Sequence, residues 1–267
     1  MHKRHVFRLA FSGSGFLAPL HAGAACAVMD TDCPIVETAG TSGGSIIAAA
    51  VALGMTQADL KKLAIDTSFK GLLNFDWFGA IKNRSFCNGN RLLSFLEDTF
   101  DGACMKDMML PCHIVSTHVE KGASFVFTHE ATPTAPVALA CRASSAVPFI
   151  YAPVKYEGRT LVDGGVINNI PVDKLKPEDI RLGVDIDEAD SYSAKSLVAF
   201  ASSLIGMMLS ANENSHEAVA RMTGGKIIGI PAKEWFLDTD LSTEQKEEMF
   251  QTGYDTMKSN LSTLYHL

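Results

Sequence analysis

The 267-residue sequence predicts a three-layer α/β/α fold built on a largely parallel central sheet. Three observations predict it. Short apolar runs rich in β-branched residues, at Val6 to Phe11, Ile35 to Ala39, Ile180 to Ile186 and Lys226 to Ile230, alternate with helical stretches. Twice a glycine-rich turn, at Gly13-Ser14-Gly15 and at Gly40-Thr41-Ser42-Gly43-Gly44, carries a strand into a helix of small residues. Hydrophobic residues make up 47% of the chain and charged residues 20%, the balance of a protein with a sizeable core. The length suits one domain over residues 1–267.

Taken in order, Val6 to Phe11 is the first buried strand, and Pro19 opens a helix through about Met29, since proline suits a first helical turn. Ile35 to Ala39 is the second strand; Ser45 to Leu53 is an alanine-rich helix stopped at Gly54. Thr56-Gln57-Ala58-Asp59 has the form of a capped entrance to a helix ending near Thr67. Between Phe69 and Phe86 the aromatic and aliphatic residues, Trp77 among them, follow no clean period and read as loop or short helices covering the core, a lid or lipid-facing surface being the other reading. Arg91 to Phe100 reads as a helix. Cys112 to Val119 and Ala123 to Thr128 read as a hairpin turning at Glu120-Lys121-Gly122. Pro136 to Ala143 is helical, Tyr151 to Tyr156 and Thr160 to Val162 flank a Glu157-Gly158 turn, and the second of these strands delivers Asp163-Gly164-Gly165 at its end. A buried helix from about Ser193, carrying Leu197, Phe200, Leu204 and Met208 at helical spacing, separates the last two strands. An amphipathic helix from Ser242 to Leu264 closes the chain.

A net charge of -7 offers no basic face to displace counterions, which argues against nucleic acid as a partner. The six cysteines (Cys26, Cys33, Cys87, Cys104, Cys112, Cys141) are scattered with no C-x-x-C, so the expectation is reduced thiols and no metal. Met1 to Cys26 imitates a signal peptide with a lipoprotein-like Ala24-Ala25-Cys26, but Gly13, Gly15 and Pro19 interrupt the apolar run and cleavage would discard the first glycine loop. No signal peptide and no transmembrane helix are expected.

Gly40, Ser42 and Gly44 fit the G-x-S-x-G nucleophile elbow, in which a serine occupies a sharp strand-to-helix turn and glycines let neighbouring backbone pass closely. A serine hydroxyl attacks a carbonyl only with a base to take its proton and donors to receive the oxyanion. The donors are backbone N–H groups of Gly13, Ser14 and Gly15, in a tight loop at a helix N-terminus, with the N–H of Gly43 beside the nucleophile. The base is Asp163, set at a strand end with two glycines behind it.

These blocks resemble the patatin-like phospholipase family: Gly13-Ser14-Gly15-Phe16-Leu17-Ala18 with His21 and Gly23 following, Gly40-Thr41-Ser42-Gly43-Gly44, and Asp163-Gly164-Gly165 with Asn168-Asn169-Ile170-Pro171 behind it. Arg142 to Pro148 is similar to the family's segment before the aspartate strand, so the resemblance spans about residues 6–172. It implies a patatin-like fold, a Ser42–Asp163 dyad, no cofactor or metal for the chemistry, and hydrolysis of acyl esters of membrane lipids in the manner of a phospholipase A or lysophospholipase. It also implies peripheral membrane contact by a cytoplasmic or membrane-associated protein. Leu17 and Ala18 stand where many members carry arginine and glycine, a form closer to the G-x-G-F-L-G variant of the animal lipase branch.

Other readings remain open at this point. Only His216 and His266 follow Asp163, which counts against a Ser-His-Asp hydrolase, and His21, His113 and His118 read as structural. Gly13, Gly15 and Ala18 also fit a dinucleotide fingerprint, with Glu37 ending the second strand as the ribose acid. A catalytically inactive lipid-binding module is the third alternative.

Overall fold

A computed structural model of the chain describes residues 5–73, 85–188, 207, 218, 222 and 224–265. The strands are β1 (Phe7–Phe11), β2 (Ile35–Thr41), β3 (Ser85–Cys87), β4 (Cys112–His118), β5 (Ala123–Phe127), β6 (Phe149–Tyr151), β7 (Val154–Tyr156), β8 (Arg159–Asp163), β9 (Ile180–Glu188) and β10 (Lys226–Ala232). The helices are α1 (Ala18–Met29), α2 (Gly43–Ala52), α3 (Gln57–Asp66), α4 (Asn90–Phe100), α5 (Val137–Ser144) and α6 (Thr243–Tyr265). Eight strands make one sheet in the order β10-β9-β1-β2-β4-β8-β7, with β5 on β4, and the first five run parallel. The expected three-layer α/β fold with a mostly parallel sheet is therefore what the chain adopts.

Side-chain alternation explains the layers. Phe7, Leu9 and Phe11 of β1 point into the large core beneath the helices, while Ala10 joins Ala39, Ile170, Val172 and Leu175 in a smaller cluster on the opposite face. Helix α1 is buried over most of its length and lies against α6, whose Gly253 meets the backbone of Leu20 as Gly23 of α1 meets that of Phe250. Ser242 and Gln245 cap α6 reciprocally: the Ser242 Oγ accepts the Gln245 N–H at 3.2 Å and the Gln245 side chain accepts the Ser242 N–H at 2.8 Å. Thr56 and Asp59 do the same for α3.

Two strand assignments differ from the sequence reading. Tyr151 to Tyr156 is not one strand: Ala152 and Pro153 separate β6 from β7, because proline has no N–H to give a ladder. β6 pairs instead with β3 in a separate parallel ribbon, Ser85 opposite Phe149 and Cys87 opposite Tyr151. Glu37 does not end β2 but lies in its first half. The expected helix from Ser193, and residues 74–84 of the aromatic stretch, lie outside the described residues.

The feature that positions the site is the edge of β4. Residues 114–115 of β4 pair with both β2 and β5, and residues 116–118 with both β8 and β5. A strand has two edges, so β2 and β8 must share one of them, end to end. β2 is parallel to β4 and its Thr41 lies opposite Val115; β8 is antiparallel and its Asp163 lies opposite Ser116. The two strands thus run toward each other and stop one residue apart in register.

Candidate active site

At that meeting point the chain after Thr41 cannot continue in the sheet, because Asp163 already occupies the place opposite Ser116. Ser42 turns out of it with φ 50° and ψ -128° and becomes the N-cap of α2. This backbone region is nearly reserved for glycine and costs about 1–3 kcal/mol when another residue holds it. The surroundings fix it from both sides: the Ser42 N–H donates to Ser144 Oγ at 2.9 Å, and the Ser42 carbonyl accepts the Ser45 Oγ–H at 2.6 Å. Ser144 Oγ in turn donates to the Val115 carbonyl at 2.5 Å. A side chain on Gly44 would collide with the Ser12 carbonyl, which is why the elbow needs glycine there.

Asp163 is 3% exposed. Its Oδ1 accepts the Gly165 N–H at 2.8 Å, while Oδ2 is buried with no hydrogen-bond partner among the described residues. Burial raises its pKa to about 6, offset in part by the Ser42 hydroxyl and then by the Gly165 amide, both of which favour the charged form. The Ser42 hydroxyl thus lies close enough to favour the charged form of Asp163, while Oδ2 accepts no hydrogen bond among the described residues. Ser42 and Asp163 line one small cavity, about 380 Å³ with its open mouth included, together with Gly13, Ser14, Gly15 and Asn169.

The loop from Ser12 to Leu17 passes over the serine. Gly15 has φ +53°, and a side chain there would strike the Phe236 carbonyl, which itself accepts the Phe16 N–H at 2.8 Å. Among the described residues the N–H groups of Ser14, Gly15 and Gly43 donate to nothing. Gly13 departs from its expected role as a donor, since its N–H is shared between the carbonyl and Oδ1 of Asn169, each at 3.2 Å. Gly13 lines the cavity, but its N–H holds the loop to Asn169.

A second, apolar cavity of about 650 Å³, its open mouth included, also reaches Ser42 and Gly43. Its walls come from Phe16, Ile46, Leu63, Phe69, Phe95 and Leu237, among others, and are almost wholly apolar. Two residues of the aromatic stretch are here: Phe69 and Leu72 are buried core residues that also line the cavity.

His21 and His113 stand apart from this chemistry. His21 is buried, its Nε2 2.9 Å from the Ser12 carbonyl, and desolvation lowers its pKa to about 4, so it is a neutral donor that anchors the loop. His113 contacts Glu37 at 2.9 Å. The Glu37 carboxylate is engaged on every side, by Arg8 at 2.5 Å, His113 and the Lys176 N–H at 3.0 Å, and has no oxygen left for a ribose. All six cysteines are free, and no metal-holding cluster exists among the described residues. No helix among the described residues is long and apolar enough to cross a membrane.

Sequence reasoning missed Ser144 and Asn169 as the residues that hold the elbow and the loop. Both were visible only as parts of motifs, in Arg142 to Pro148 and Asn168-Asn169.

A strained serine elbow, a buried carboxylate and a loop of free amides on one sheet edge define the class: an α/β protein of nucleophile-elbow type. The chain belongs to the patatin-like phospholipase family, whose profile matches residues 9–176, more than half of it. It is similar to the uncharacterized protein R571 of Acanthamoeba polyphaga mimivirus, 25% identical over 97% of this chain and 95% of that protein. It is also similar to the lysophospholipase NTE1 of Pyricularia oryzae, 27% identical over 67% of this chain and 11% of that protein. Its fold matches the crystal structure of VipD from Legionella pneumophila with a TM-score of 0.67 and 15% identity, covering 98% of this chain and 67% of that one. The chain is thus a patatin-like lipid hydrolase.

Proposed function

We propose that the protein cleaves fatty-acyl esters of membrane lipids, as a phospholipase A or lysophospholipase, through a Ser42–Asp163 dyad. The observation that carries this reading is the head-on meeting of β2 and β8, which places a strained serine and a carboxylate with a raised pKa in one cavity. Asp163 takes the proton of the Ser42 hydroxyl as the oxygen bonds to the ester carbon. The carbonyl oxygen becomes an oxyanion, received by the N–H groups of Ser14, Gly15 and Gly43 and favoured by the N-termini of α1 and α2. When the tetrahedral intermediate collapses, the bond to the alcohol breaks and Asp163 returns the proton to the leaving oxygen. Water then repeats the sequence on the acyl-enzyme and frees the fatty acid. The apolar cavity beside Ser42 holds the acyl chain, and the smaller polar one receives the alcohol.

The test has two arms. A fluorophosphonate probe should label the native protein and not Ser42→Ala, and mixed lipid vesicles should release fatty acid, identified by mass spectrometry, only with the native protein. Lipid release by a folded Ser42→Ala protein refutes the dyad; vesicle binding with neither labelling nor release would mean an inactive lipid-binding module.

A further inference from the structure

Four buried hydroxyls have no hydrogen-bond partner among the described residues, on Ser14, Ser116, Thr117 and Ser145, and of these residues only Ser14 lines the polar cavity with Ser42 and Asp163. Ser14 is 1% exposed. Its carbonyl is engaged by the Leu17 N–H at 2.9 Å, so the backbone around it is fixed while Oγ is left free. Oγ packs 2.7 Å from the point where a Cβ on Gly43 would stand, against the residue whose N–H lies beside the nucleophile. A hydroxyl removed from water and given no partner costs free energy, so folding alone does not favour serine here over alanine.

We infer that Ser14 is a further catalytic residue, whose Oγ–H donates a hydrogen bond to the oxyanion formed when Ser42 attacks. This rests on the dyad reading above. The hydroxyl has no acceptor in the resting site and gains one only when negative charge develops, which is the condition for stabilising the transition state more than the bound ester. No proton is transferred: the hydroxyl rotates, donates, and is released when the carbonyl re-forms. The backbone amides of the loop would then work with one side-chain donor that a glycine or alanine at this place could not supply.

Steady-state kinetics on a monomeric p-nitrophenyl acyl ester test it. Ser14→Ala should lower kcat about 10²-fold, the scale for one lost oxyanion donor, with KM within about twofold. The affinity for an alkyl trifluoromethyl ketone, which forms an oxyanionic hemiketal on Ser42, should fall by the same factor. The thermal midpoint of Ser14→Ala should equal or exceed that of the native protein, since a buried unpaired hydroxyl is removed, and Ser14→Cys, a poorer donor, should fall between the two in kcat. An unchanged kcat, or a loss of kcat matched by a rise in KM and a lower midpoint, overturns the assignment. Ser42→Ala, measured alongside, separates the two failures: activity there sinks the dyad, whereas an inactive Ser42→Ala beside a fully active Ser14→Ala sinks only this inference.

Discussion

Glu37 and Asp163 are both carboxylates buried in the same sheet, at 0% and 3% exposure, and they are held in opposite ways. Burial pushes the pKa of each upward. At Glu37 hydrogen bonds from His113, the Lys176 N–H and Arg8 more than offset burial and hold it below the usual carboxylate range. Arg8 is its direct cross-strand partner, on the neighbouring strand β1. At Asp163 burial prevails over the nearby Ser42 hydroxyl and the Gly165 amide, and the pKa rises to about 6. Burial is common to both; the supply of positive charge and donors separates a carboxylate that clasps strands from one able to accept a proton near neutral pH.

Exchanging the two carboxylates for amides is the most direct way to break this contrast. Asp163→Asn should lower kcat about 10²–10⁴-fold, the usual worth of general-base help, with the protein folded. Ester hydrolysis by the variant and the native protein measures this. Glu37→Gln should keep activity within a few-fold, because its carboxylate lies on the half of β2 remote from Ser42, and lose about 3 kcal/mol of stability. That is the low end for breaking a buried pair, since Arg8 keeps Asp179 at 3.5 Å. Urea unfolding reads it. An active Asp163→Asn, or an inactive but stable Glu37→Gln, would erase the distinction.

The stability of Asp163→Asn sharpens the same point. A carboxylate whose folded pKa exceeds its unfolded value of 3.8 binds more protons when folded, so its contribution falls as pH rises from about 4 to about 6. Removing the charge should therefore stabilise the protein at pH 8, by at most about 3 kcal/mol for two units of pKa, and do nothing at pH 3. Asn keeps an Oδ1 to accept the Gly165 N–H. Urea midpoints at the two pH values check it, and a variant less stable than the native protein at pH 8 contradicts the raised pKa.

How far the two carboxylates could be told apart in advance depends on the distance their partners span in the chain. Ser42 announces itself locally, through glycines on both sides and a small-residue helix behind it, and Asp163 through its place at a strand end. Glu37 gives a weaker sign, a lone acid in an apolar strand, which must be paired if buried; its pairing with Arg8 depends on the register of β1 against β2. Gly13 and Ser144 give none. Whether the Gly13 N–H is free is decided by Asn169, and what Ser144 holds is decided by the turn at Ser42, both far away in the chain. The ribbon of β3 and β6 was hidden because three-residue strands show no period. What the sequence pattern carries is the local turn; what it lacks is the long-range partner.

The smallest effect expected is in the pH profile, and it tests the Asp163 end of the contrast without any substitution. If the carboxylate must be ionised to take the serine proton, kcat/KM should be level above pH 7, pass half its maximum near pH 6 and drop about tenfold by pH 5. Acid unfolding could imitate this fall, so the sign of the other buried titrating group matters. His21, lowered from 6.5 to about 4 by burial, contributes stability that is fully present above pH 6.5 and is lost as pH falls toward 4. Over the same interval Asp163 shifts stability the other way, so the two largely offset and the fold should persist at pH 5. Near-UV circular dichroism recorded at each pH separates the cases: a midpoint near 6 with an unchanged spectrum is the titration of Asp163, whereas a midpoint near 4 would make it an ordinary carboxylate, no more basic than a solvated one.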